Sequence, residues 1–139
     1  MRNILTPFLR EEAMQEIFTR KLPEKSGAEG ALTAVERIER CLASSPIVLF
    51  MKGSPDFPQC GFSARVVSAL RGCRATFMHV NVLEDPELRQ TLKTYSNWPT
   101  IPQLYIEGEL VGGCDIVMDM YRSGDLSRMV QQAGAVLTE

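Results

Sequence analysis

Ile47-Val48-Leu49-Phe50-Met51 is an unbroken apolar run, bounded by Ser44-Ser45-Pro46 before it and by Lys52-Gly53-Ser54-Pro55 after it. A run this short between turn residues suits a central strand buried on both faces. A strand with no wet face needs helices above and below its sheet, so the chain is constrained toward a layered α/β packing.

The flanking pattern supplies those layers. Leu32, Val35, Ile38, Glu39 and Leu42 form a helical face that ends at Ser44-Ser45-Pro46. After the central run, Phe62, Val66 and Leu70 recur four apart, and Gly72 reads as a stop. Thr76 to Val82 alternates, with Met78, Val80 and Val82 on one face of a second strand. Asp85-Pro86-Glu87 opens the next helix with a cap, a first-turn proline and an acid against the dipole, and Leu88, Leu92 and Tyr95 follow. Pro102 to Val111 reads as a hairpin with Leu104 and Ile106 inward and Glu107-Gly108 at the turn. Asp115 is expected to cap a helix that runs through Tyr121 to Ser123-Gly124. A last helix starts at Asp125 with Leu126, Met129, Val130 and Ala133. The order predicts an α/β sandwich with a parallel half and an antiparallel hairpin.

Three segments are expected: an extension over 1–30, a domain over 31–134 and a tail over 135–139. In the extension, Leu5, Leu9, Ala13 and Ile17 recur every four residues after Thr6-Pro7, and Leu22 to Gly30 reads as a linker. An amphipathic helix and a disordered tail both remain open for it. Its five basic and five acidic residues balance, so it is no polybasic arm. Glu11 and Glu12 interrupt any secretory h-region and argue against a transit peptide. A net charge of −2 gives no basis for nucleic-acid or membrane-surface binding, and no apolar run approaches the roughly 18 residues of a bilayer span. Four cysteines without a CxxC pair read as reduced thiols of a cytoplasmic protein rather than a disulfide framework.

Of these, Cys60 carries chemistry. It stands at the start of a helix, where unpaired N–H groups and the dipole favour a negative sulfur, and Lys52 at the end of the preceding strand can add a cation. Ser63 occupies the place where a dithiol oxidoreductase has its second cysteine, so Cys60 cannot close a disulfide with that neighbour. Two further segments join it. Trp98-Pro99-Thr100-Ile101-Pro102-Gln103 is stiff and extended, with Ile101-Pro102 a candidate cis bond that would present the Ile101 backbone to a peptide; a plain trans loop is the alternative. Gly112-Gly113-Cys114-Asp115 sets a carboxylate beside free helix N–H groups, suited to an amine and a carboxylate together; a plain capped hinge is the alternative.

Cys60-Gly61-Phe62-Ser63, Lys52 eight residues earlier, Trp98-Pro-Thr-Ile-Pro and Gly112-Gly113-Cys114-Asp115 together resemble the monothiol glutaredoxins of the CGFS type, from about residue 32 to 130. The resemblance implies a thioredoxin-like fold, a central four-stranded mixed sheet flanked by helices, with Pro102 cis. It implies a glutathione site in which Lys52 and Arg89 meet the glycine carboxylate, Ile101 pairs its backbone with the tripeptide's cysteine, and Cys114-Asp115 hold the γ-glutamyl end. It further implies a [2Fe–2S] cluster held between two protomers by Cys60 of each and two glutathione thiols, shielded by Phe57, Pro58 and Phe62. Asp56-Phe57 departs from the family's pattern before Pro58.

Three functions are compatible with this: a homodimeric carrier that delivers the cluster to apo iron–sulfur proteins, a glutathione-dependent oxidoreductase acting through Cys60, and an adaptor docking a BolA-like protein. His79 reads as structural or solvent-facing. Cys41 and Cys73 read as bland, Cys114 as a possible second redox thiol, and Met118, Met120 and Met129 as filler.

Overall fold

The computed structural model describes residues 32–137. The expected extension over 1–30 lies outside the described residues, as do residues 138 and 139. Helix α1 (Ala34–Ser44) begins in a reciprocal cap. The Glu36 N–H donates to Thr33 Oγ1 at 3.1 Å and the Thr33 N–H donates to Glu36 Oε1 at 3.0 Å, which satisfies two otherwise orphaned donors. Strand β1 (Ile47–Met51) follows, then α2 (Gly61–Gly72) and β2 (Met78–Asn81). A short 3₁₀ turn at Val82–Glu84 leads to α3 (Pro86–Ser96). The hairpin β3 (Gln103–Ile106) and β4 (Glu109–Gly112) precedes α4 (Cys114–Ser123) and α5 (Asp125–Gln132).

The sheet runs β2-β1-β3-β4, with β1 parallel to β2 and antiparallel to β3, and β3 antiparallel to β4. All five β1 residues are buried. Their alternation sends Ile47, Leu49 and Met51 against Val66 and Leu70 of α2, Val117 of α4 and Leu126 of α5. Val48 and Phe50 point the other way, against Ile38 of α1 and Leu88 and Leu92 of α3. Burying each such side chain contributes about 1.5–3 kcal/mol before chain entropy is subtracted. The unbroken apolar run is therefore the floor of two cores, and the fold is a thioredoxin-like mixed sheet between two helical layers.

Four local expectations change. Strand β2 stops at Asn81, because the Asn81 carboxamide accepts the Leu83 N–H at 3.0 Å and turns the chain; Val82 is buried inside that turn. Gly72 lies within α2, and the left-handed residue after the helix is Arg74 at φ 59°. The space beside Gly72 belongs to the Tyr121 ring of α4, so its small size serves helix packing. In β3, Gln103 and Tyr105 are as buried as Leu104 and Ile106, since β3 also has covered faces on both sides. Residues 135–137, expected as the start of a tail, lie against the domain: Ala135 is buried, its carbonyl accepts the Thr76 N–H at 2.8 Å, and the Leu137 N–H reaches Arg74 O at 2.7 Å.

Candidate functional site

The loop from Lys52 to Cys60 is folded by its own backbone. The Gln59 N–H donates to Lys52 O at 2.9 Å, and the Gly53 N–H donates to Asn81 Oδ1, also at 2.9 Å. Gly53 has φ +90°, and a Cβ there would lie 2.5 Å from Phe57 O and 2.7 Å from Gln59 N, so both conformation and space require glycine. This loop delivers Cys60 as the extended N-cap of α2, half-buried, its carbonyl accepting the Ala64 N–H at 3.0 Å.

Burial works against charge on the Cys60 sulfur, but the Ser63 and Phe62 backbone N–H groups, the Ser63 hydroxyl and the Lys52 cation outweigh it, and the thiol titrates below its ordinary range. Ser63 is completely buried and accepts the Lys52 N–H at 3.2 Å. Burial raises the thiols of Cys41 and Cys73 instead, so neither has thiolate character. His79 is exposed on β2, and Met118, Met120 and Met129 pack at the margin of the core.

From Cys60 and Lys52 a cleft of about 520 Å³ extends across the ends of the strands. The peptide bond between Ile101 and Pro102 is cis, and this segment forms one wall. Cys114 and Asp115 lie at another margin, and Arg89 enters from α3. The structure thus gathers Lys52, Cys60, Arg89 and Ile101 with Pro102, Cys114 and Asp115 around one cavity. One detail differs: Asp115 does not cap α4. Gly113 is the extended N-cap, and its carbonyl accepts the Val117 N–H at 3.0 Å. Asp115 is exposed in the first turn, where its carboxylate interacts with the dipole. Cys114 is buried.

Other lining residues had no individual role assigned in the sequence, Lys93, Trp98, Thr100 and Ile116 among them. Lys93 lies one turn beyond Arg89 on α3, a spacing that the sequence does display. Trp98 and Thr100 line the wall before Pro102. Three cations, Lys52, Arg89 and Lys93, accompany the single carboxylate of Asp115, which favours an anionic occupant. Arg89 Nε and Trp98 Nε1 are buried without a hydrogen-bond partner, two donors that an occupant's acceptors could satisfy.

The glutaredoxin family model matches residues 47–111. Glutaredoxin 4 of Escherichia coli is 50% identical over 103 residues, covering 74% of this chain and 90% of that protein. Monothiol glutaredoxin-S17 of Arabidopsis thaliana is 48% identical over 113 residues, covering 81% of this chain and 23% of that longer protein. A crystal structure of a buckwheat glutaredoxin–glutathione complex superposes with a TM-score of 0.67 at 26% identity, covering 75% of this chain and 93% of the other. With half of 103 aligned residues identical across 90% of a relative, and with a lone cysteine at the helix start, this chain belongs to the monothiol glutaredoxin family.

Proposed function

We propose that the chain binds glutathione in the cleft and, as a homodimer, carries a [2Fe–2S] cluster to apo iron–sulfur proteins. The observation that carries this reading is one half-exposed, acidified thiol at the end of a cationic cleft, with Ser63 where a second thiol would close on it. Lys52 and Arg89 suit the glycine carboxylate, the Ile101 backbone suits the cysteine residue of the tripeptide, and the first turn of α4 with Asp115 suits the γ-glutamyl amine and carboxylate. The buckwheat relative solved with glutathione supports the choice of tripeptide.

The cluster is cargo in this reading. It requires four thiolates, and among the described residues no group of three or more Cys, His, Asp or Glu is gathered to hold a metal. Cys60 of each of two chains and two bound glutathiones make up the number. Phe57 and Phe62 are 73% and 54% exposed and suit contact with a second chain over the sulfur. Anaerobic reconstitution with iron, sulfide and glutathione should give a coloured dimer that Cys60→Ser abolishes. A colourless monomer from the parent chain would sink this function.

The acidified thiol also favours a second reading, removal of glutathione from mixed disulfides. The Cys60 thiolate attacks the glutathione sulfur, forms a Cys60–glutathione disulfide and releases the protein thiolate, which takes up a proton. A second glutathione thiolate then attacks that disulfide, restoring Cys60 and leaving glutathione disulfide. Brisk turnover in a glutathione-coupled disulfide assay favours this reading; negligible turnover beside a stable cluster favours the carrier.

A further inference from the structure

Gln103 is a fully buried polar side chain at the first position of β3, directly after the cis proline. Its carboxamide spends both donors on the cleft wall: Nε2 donates to Trp98 O at 3.0 Å and to Thr100 O at 3.3 Å. Its Oε1 accepts the Tyr105 hydroxyl at 3.0 Å. Tyr105 is itself fixed, packed edge-on against Phe50 of the central strand with ring centroids 5.5 Å apart. A rigid chain therefore runs from the sheet core through Tyr105 and Gln103 to the two carbonyls that precede Ile101.

The wall has few other fasteners. The Trp98 N–H is bonded to Lys93 O at 3.2 Å and to Ser96 Oγ at 3.2 Å, which anchors only the start of the segment. The two prolines have no N–H to give. The Thr100 carbonyl takes its part-buried hydrogen bond from the Gln103 carboxamide, and the Trp98 carbonyl takes its shorter one there, with the Ser96 hydroxyl donating to it at a longer 3.4 Å. Losing that carboxamide leaves the Thr100 carbonyl without its donor and the Trp98 carbonyl with only the longer Ser96 bond, which loosens the segment that presents the Ile101 peptide.

We infer that Gln103 is a positioning residue for the peptide-binding wall of the cleft: its carboxamide sets where the Ile101 backbone and the Trp98 ring stand. The inference rests on the glutathione reading above for what the wall binds. It assigns no chemistry to Gln103, which acts through Trp98, Thr100 and Ile101.

The test uses the full chain, glutathione affinity by calorimetry, and acrylamide quenching of Trp98, the single tryptophan of the sequence. Gln103→Met should weaken glutathione binding at least about tenfold and increase quenching. Tyr105→Phe, which keeps both amide donors but removes the bond to Oε1, should weaken affinity by less than Gln103→Met does. Val130→Ala, a core truncation on α5 behind the opposite face of the sheet, controls for lost stability and should alter neither readout. Unchanged affinity and quenching in Gln103→Met would overturn the inference, as would an equal loss in Val130→Ala or Tyr105→Phe. If the parent binds no glutathione, the proposed function fails, and quenching still decides the role of Gln103. Should Gln103→Met not fold, the parent's Gln103 side-chain amide resonances serve: they should exchange slowly and shift on glutathione addition, and fast-exchanging, unmoved signals overturn the idea.

Discussion

The Ser63 hydroxyl, buried completely in the first turn of α2, accepts the backbone N–H of Lys52 at 3.2 Å. One oxygen thereby ties the end of the central strand to the helix that begins at Cys60. The same hydroxyl helps hold the Cys60 sulfur as a thiolate. Ser63 is therefore more than a missing cysteine: it links the fold of the loop to the charge state of the thiol.

Ser63→Ala should separate these roles. The Lys52 N–H loses its acceptor, which costs about 1–2 kcal/mol, read as a lower denaturation midpoint at unchanged slope. The Cys60 titration, followed by ultraviolet thiolate absorbance, should move upward toward the ordinary cysteine range. A variant with full stability and an unmoved titration would show that water replaces the hydroxyl in both.

Acidified Cys60 makes two quantities depend on pH. Alkylation by iodoacetamide should reach half its plateau rate at a pH below that of an ordinary cysteine, because the folded state favours the thiolate. The linked stability has a definite sign. The unfolded thiol titrates near 9.0, the folded one lower, so the contribution is complete above about pH 9 and is lost as pH falls through the folded value. Comparing urea midpoints of the parent and Cys60→Ser across that window measures it. A difference that grows on acidification would contradict the depressed value.

Arg37 ties helix α1 to the start of helix α3. The guanidinium donates to Asp85 Oδ2 at 2.9 Å, to Glu87 Oε1 at 3.0 Å and to Leu32 O at 2.7 Å, while Asp85 Oδ1 caps the helix through the Leu88 N–H at 3.1 Å. The Arg37–Asp85 pair is about a third exposed, so its worth is modest. A double-mutant cycle of Arg37→Met with Asp85→Asn should give a coupling of about 0.5–1 kcal/mol that shrinks at high salt. Asp85→Ala should cost about 1 kcal/mol more than Asp85→Asn, because it removes the cap as well. Equal losses from the two would show that the cap carries nothing.

What the sequence displayed was whatever is local. The double-faced strand, the Asp85-Pro86 helix start and the Glu107-Gly108 turn are each decided within a few neighbours, whereas the cis bond before Pro102 is open locally and implied by the family resemblance. What it hid depends on contacts made only once the chain has folded. Gly72 looks like a stop until Tyr121 is seen beside it. Gln103 looks like an ordinary polar strand residue until the Trp98 and Thr100 carbonyls are found in reach. The shift of the α4 cap from Asp115 to Gly113 has a local origin instead, since extended glycine and carboxylate caps leave similar local patterns. The candidate site residues were nameable because three separated motifs converge, while the residues that hold those motifs in place were not.

Arg89 bears on the distinction between folding and binding. Its Nε is buried without a partner, so its presence in the bare cleft costs stability rather than adding it. Arg89→Met keeps the aliphatic stem and removes the orphaned donor and the charge. Stability should therefore be unchanged or rise by about 0.5–1 kcal/mol, while glutathione affinity should fall about tenfold or more, as for a lost charge-assisted hydrogen bond. The residual affinity should also depend less on ionic strength, because one of three cleft cations is gone. Calorimetric titration at low and high salt, alongside urea unfolding, reads all three quantities. If stability and affinity fall together, Arg89 is part of the scaffold; if affinity alone falls, the cleft keeps an unsatisfied donor for the molecule it binds.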